Sequence, residues 1–193
     1  MWRNTREAYG VAAIVLHWTI AALFLGQIAL GYLTQATADL PRLQFTLYQW
    51  HKSVGFLVLA LAVLRIGWAS SGIKPRPVAG MPPWEAAAAG SVHALLVALT
   101  IAVPLTGWAI ASTSPLRIPT FWFNLAVVPD LPMGRSDAAE ALWSKLHAWL
   151  AYGAGLLAAA HAGAAIHHHV VRRDGTLSRM LGAGAGPSGR VPK

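Results

Sequence analysis

The sequence predicts an all-α fold, an integral membrane bundle of four transmembrane helices with both termini cytoplasmic. Three observations carry this. Four apolar stretches are each long enough to cross a hydrocarbon core, which takes about 20 residues. The chain is 55% hydrophobic and only 11% charged, a composition of the membrane class rather than of a soluble domain around one core. Its basic residues are also divided unevenly between the two ends of those stretches, which orients them.

The first stretch, roughly Val11 to Leu33, is too long for the apolar region of a signal peptide and is followed by no small-residue cleavage site, so it is expected to be mature structure. The second runs from about Trp50 to Ala69. The third, Ala86 to Ala111, contains Pro104 and Gly107, which predict a kink that a membrane helix tolerates. The fourth, Leu142 to Val171, is the longest. The connections are short and polar or proline-rich, with no internal repeat and no soluble domain. Residues 1–181 therefore form a single domain, and the Gly/Pro/Ser-rich tail 182–193 is expected to be disordered. The third loop, with Pro115, Pro119, Pro129 and Pro132, is nearly 30 residues long. Its Phe121-Trp122-Phe123 cluster suits either a lid or a docking surface.

Lys and Arg set the orientation. The N-terminus (Arg3, Arg6), the second loop with its flank (Arg65, Lys74, Arg76) and the C-terminal segment (Arg172, Arg173, Arg179, Arg190, Lys193) hold ten. The first loop with its flank (Arg42, Lys52) and the third loop (Arg117, Arg135, Lys145) hold five. Both termini are thus expected on the cytoplasmic side. The net charge of +8 would suggest nucleic acid in a soluble protein. Here it reads as topology plus attraction to anionic membrane lipid, and no nucleic-acid partner is implied. Trp50, Trp122, Trp143 and Trp149 on the outside, with Trp68 and Trp84 inside, fit aromatic belts. The chain has no cysteine, which excludes disulfides, thiolate-held clusters and covalently attached haem.

Against this apolar background the histidines stand out, because ionisable groups inside a span are costly and point to function. The fourth span carries His147, His161, His167, His168 and His169. His161 follows His147 by 14 residues, about 21 Å along a helix and within about 40° of the same face. Depth pairs His51 with His147 towards the outside and His17 with His161 towards the inside. Bis-histidine ligation at two levels of a four-helix bundle describes a b-type cytochrome with two haem b groups. The alternative is that these side chains are polar glue between helices. Gly55, Gly153, Gly155 and Gly163 would give a planar cofactor clearance, although glycine also serves helix packing.

Other side chains are placed by the same reasoning. Arg65 follows His51 by 14 residues and faces the inner level, where haem propionates or the cytoplasmic interface would receive its charge. Lys52 has the same two readings at the outer end, and would also attract a small anion. His168 lies two turns beyond His161 on nearly the same face. There it either protonates a quinone or sits among headgroups with its two neighbours. His93, at the start of the third span, competes with His17 as a ligand and ranks below it.

The stretches Asn4 to Gly10, His17-Trp18, His51-Lys52-Ser53-Val54-Gly55, Leu64-Arg65, and His161 followed by His167-His168-His169 and Asp174-Gly175-Thr176-Leu177 resemble the bacterial cytochrome b561 family. The resemblance covers nearly the whole chain. It implies a multi-pass protein of the bacterial inner membrane with haem b held by His17, His51, His147 and His161 as metal ligands, and His93 unliganded. One type of member oxidises superoxide at the periplasmic side and passes the electrons to ubiquinone, with a histidine at the quinone where His168 stands here. Other relatives are haem subunits that anchor hydrogenases or dehydrogenases.

Two function classes follow. One is a self-contained oxidoreductase taking single electrons from superoxide or another periplasmic donor to ubiquinone, with Lys52 and His168 at its two ends. The other is a haem-bearing anchor subunit for a separate dehydrogenase or hydrogenase. A histidine-lined transporter is excluded, because no carboxylate and no broken helix lies at mid-depth.

Overall fold

The computed structural model describes residues 1–78 and 80–182; the rest of the tail expected to be disordered, 183–193, lies outside the described residues. Four long helices dominate: α1 (Val11–Ala36), α2 (Pro41–Ser70), α3 (Pro83–Thr113) and α4 (Asp137–His167). They hold 26 to 31 residues each, about 39 to 46 Å at 1.5 Å per residue. All four are long and apolar enough to cross a membrane, and at most 17% of the most apolar window in each is buried inside the protein. Leu156, Trp149 and Tyr32 are among the large apolar side chains left exposed. Apolar surface all round is the pattern of helices solvated by lipid.

Helix ends extend beyond the apolar stretches. α2 starts at Pro41, nine residues before Trp50, with proline in its first turn, where its missing N–H costs nothing. The polar turns Arg42 to Gln49 carry no hydropathy signal, yet their backbone continues the helix. α4 is capped by Ser136, whose hydroxyl accepts the Ala139 N–H at 3.1 Å, and has Asp137 and Glu140 in its first turn; both features favour a helix N-terminus. Pro104 lies inside α3 without ending it. Beyond His167 the chain makes one π-helical turn, His168–Arg172, stopped by Arg173 at φ 53°, and then a short α5 (Thr176–Met180).

The starts of α1 and α3 and the ends of α2 and α4 meet at one level, through His17, His93, Arg65 and His161. The four helices therefore alternate in direction. α1 packs along α2, α2 on α3 and α3 on α4, whereas α1 and α4 meet sparsely. Among the buried contacts are small side chains such as Ala62, Ala109 and Ala154, beside larger ones such as Ile20 and Phe24; the small ones let apolar helices approach closely without a hydrophobic driving force.

Each end of the bundle is closed by chain. At one end the third loop forms a two-stranded antiparallel hairpin, β1 (Thr120–Trp122) with β2 (Ala126–Val128), pairing Phe121 with Val127. Phe123 and Asn124 at its tip both have positive φ, 49° and 57°, as a tight hairpin turn requires. At the other end the N-terminal segment folds back on itself. The Asn4 side chain accepts the Gly10 N–H at 2.8 Å, and a Cβ at Gly10 would collide with the backbone of Trp2 and Arg3.

Candidate functional site

The structure brings the histidines together at two levels. His51 on α2 and His147 on α4 have ring centroids 6.0 Å apart, with planes at 76°. His17 on α1 and His161 on α4 are 6.3 Å apart at 78°. His93 does not sit at a helix start. α3 begins ten residues earlier, at Pro83, and those turns carry His93 to a ring-centroid distance of 4.9 Å from His161.

The two imidazoles of the hairpin-side pair are held differently. His147 Nδ1 lies 3.0 Å from the Val103 carbonyl and 3.1 Å from the Thr106 hydroxyl. A carbonyl only accepts, so Nδ1 carries the proton and Nε2 keeps its lone pair. In contrast, Nδ1 of His51 and Nδ1 of His17 are buried with no hydrogen-bond partner among the described residues. α1 steadies the backbone at His51, because the Gln27 amide donates to its carbonyl at 2.7 Å.

Glycines also make room for these rings. A Cβ at Gly31 would come 3.2 Å from His51 Cε1, and one at Gly107 would come 3.3 Å from His147 Cε1. Both are tighter than ordinary contacts, so each ring lies against a bare stretch of neighbouring helix. Of the glycines expected to clear a cofactor, Gly55 instead accommodates the Gln27 amide and Gly155 accommodates Ile28. Gly153 and Gly163 are exposed, with open space where a Cβ would project.

Arg65 is close enough to His17, His93 and His161 to act electrostatically on each of them. Its guanidinium forms no ion pair among the described residues. No three His, Asp or Glu side chains among the described residues converge to hold a bare metal ion, although His93 joins His17 and His161 at their level.

Lys52 belongs to the attachment of the hairpin. Its ammonium donates to the Pro119 carbonyl at 3.4 Å, with Asp130 in electrostatic range. Ser53, 2% exposed, donates to the Phe121 carbonyl at 2.9 Å and accepts the Phe123 N–H at 3.0 Å. The Gln49 amide donates to the Pro119 carbonyl at 3.2 Å, and the Trp50 ring meets Phe123 edge to face at 5.7 Å. Residues on both sides of His51 thus grip the loop. The returning arm is tied to α3, with Trp108 Nε1 donating to the Pro129 carbonyl at 2.9 Å.

At the opposite end, His168 Nδ1 meets the Asp174 carboxylate at 2.6 Å, and Asp174 also accepts the Thr176 N–H at 2.9 Å. Burial alone would raise the Asp174 pKa, but the hydrogen bonds from Thr176 and His168 outweigh it and hold the carboxyl below its usual range. Arg172 makes a two-point ion pair with Glu85 at 2.6 Å, and Trp18, beside His17, donates to the Met180 carbonyl at 2.7 Å. An open cleft lined by His169, Val170, Arg173, Asp174 and Ser178 borders this cluster.

Thr106, Val103, Gly31, Ser53 and Asp174 escaped the reading of the sequence as site residues. Only Asp174 carried a usable signal, six residues after His168 on a helix-ending segment.

A family model described as prokaryotic cytochrome b561 matches residues 8–183. The chain is similar to cytochrome b561 homolog 2 of Escherichia coli (strain K12), 32% identical over 180 residues that cover 93% of this chain and 94% of that protein. It is also similar to cytochrome b561 homolog 1 of the same organism, 28% identical over 174 residues, covering 87% of this chain and 93% of that protein.

Proposed function

Since the chain belongs to the prokaryotic cytochrome b561 family, whose membership implies haem b, we propose that it is a two-haem membrane cytochrome moving electrons across the bacterial inner membrane. The observation that carries this reading is the pair of imidazole pairs at 6.0 and 6.3 Å. Two metal–imidazole bonds of about 2 Å each place ring centroids about 6 Å apart, so both pairs fit one iron between them. His93, at 4.9 Å from His161, stands too close to share an iron with it. His51 and His147 would hold one haem and His17 and His161 the other. Haem b supplies one-electron redox chemistry at each level.

The chain's own residues organise the rest of the proposal. Both termini are cytoplasmic in this reading, as the basic residues suggest, which puts the hairpin outside. The hairpin shields the outer level from water, and Lys52 at its edge offers positive charge to a small anionic donor such as superoxide. Arg65, without a carboxylate partner among the described residues, is available to haem propionates at the inner level. His168, with Nδ1 committed to Asp174, keeps Nε2 for a quinone oxygen and can deliver a proton to it at the cytoplasmic face. A second reading, an anchor subunit for a dehydrogenase or hydrogenase, is favoured by the exposed Leu116, Leu125 and Val127 on the loop.

The test is a spectrum of the purified protein before and after dithionite, with haem quantitation. The expected result is a b-type α band and two haems per chain. A colourless preparation would overturn the cytochrome reading. Oxidation of superoxide by the isolated protein with a short-chain quinone as acceptor would separate the oxidoreductase from the anchor subunit.

A further inference from the structure

We propose that Thr106 is a positioning residue for His147, and that its hydroxyl, together with the Val103 carbonyl, lowers the midpoint potential of the haem held by that histidine. The inference rests on the bis-histidine reading and goes beyond it, because it assigns a function to a side chain that touches no cofactor.

Thr106 is 7% exposed, and its hydroxyl donates to the Val103 carbonyl at 2.7 Å. Threonines in this bundle commonly bond back to a carbonyl three residues earlier: Thr34 does so to Gly31 and Thr100 to Val97. That habit alone is local helix chemistry. At Thr106 the hydroxyl oxygen also lies 3.1 Å from His147 Nδ1, while the ring nitrogen stays 3.0 Å from the Val103 carbonyl. The hydroxyl proton is spent on Val103, so its oxygen is left as an acceptor towards Nδ1–H. The imidazole N–H is therefore shared between two acceptors, and Gly107 one residue on lets the ring lie against α3.

A ligating imidazole whose other N–H is hydrogen-bonded is held in one tautomer and orientation and becomes more basic. A more basic ligand favours the oxidised iron, which lowers the potential. His51, across the same level, has no such partner at Nδ1 among the described residues. Control of the outer pair is thus one-sided, exerted from α3 through His147.

The experiment is a spectroelectrochemical titration of the full-length, haem-loaded protein and its Thr106→Val, Thr106→Ser and Thr100→Val variants, the outer haem being the component that His51→Ala removes. Thr106→Val keeps the side chain's shape and removes the hydroxyl. It should shift the outer haem's reduction equilibrium about tenfold towards the reduced form, about 59 mV upward for one electron, and leave the inner haem unchanged. Thr106→Ser should restore the wild-type value, and Thr100→Val should match wild type. Should Thr106→Val lose haem, Thr106→Ala replaces it in the same comparison. An unchanged outer potential in a fully loaded Thr106→Val protein, or a shift that serine does not rescue, overturns the proposal alone. A wild-type protein that binds no haem overturns the underlying reading with it.

Discussion

His93 and His161 stand 4.9 Å apart between ring centroids, nearer than His17 and His161 at 6.3 Å. Three imidazoles therefore share the level remote from the hairpin, and distance separates their roles. All three ring pairs are edge to face, so it is the 4.9 Å separation that marks the closer ring as a packing contact of His161. His93→Ala should keep two haems per chain by pyridine haemochrome assay. A preparation with one haem would mean that α3, not α1, supplies the inner ligand.

Ser53 stitches the hairpin to α2 through two hydrogen bonds from a buried position two residues beyond His51. Ser53→Ala leaves the Phe121 carbonyl and the Phe123 N–H without that partner, at a cost of about 1–3 kcal/mol for buried polar groups. Phe123 already holds a positive φ of 49°, so the tip depends on this tether. Hydrogen exchange at Phe121 and Phe123 should accelerate by about tenfold or more in the variant, and outer-haem reduction by dithionite should quicken. Unchanged exchange would mean that the hairpin holds without Ser53.

His168 and Asp174 form a pair at the opposite end. His168→Ala should keep both haems and slow their reoxidation by a short-chain quinone well beyond His167→Ala or His169→Ala, and Asp174→Asn should produce a smaller slowing in the same direction. Equal stopped-flow rates at the Soret band across the three histidine variants would remove His168 from the mechanism.

The Asp174 carboxyl is held below its usual range by Thr176 and His168 against the opposing effect of burial. A group with a depressed folded pKa contributes stability that is present above its unfolded value, about 3.9, and lost as pH falls through the folded one. The difference in thermal stability between wild type and Asp174→Asn should therefore be constant through the neutral range and close only in acid. A difference that closes between about pH 6 and 8 would assign the linkage to another group.

Helix pitch and hydropathy made much of this arrangement legible in the sequence. Apolar length alone located four spans, and 1.5 Å per residue converted histidine numbers into depths, so the neighbours of His147 and His161 could be named without coordinates. The rest had no local signature. Arg42 to Gln49 reads as polar loop, yet it is helix because Pro41 starts α2. Val103 acts through a backbone carbonyl, which any residue carries. Gly31 matters only because packing of α1 on α2 aims His51 at it. The hairpin turns at Phe123-Asn124, without the glycine that usually announces such a turn, and is held by tertiary bonds from α2.

Ligand pairing is tested most directly by haem quantitation and redox titration of four single variants, His17→Ala, His51→Ala, His147→Ala and His161→Ala. The distances of 6.0 Å for His51–His147 and 6.3 Å for His17–His161 predict two phenotypes. His51 and His147 variants should lose one and the same redox component, and His17 and His161 variants the other. Loss of the same component in the His51 and His17 variants would contradict the account.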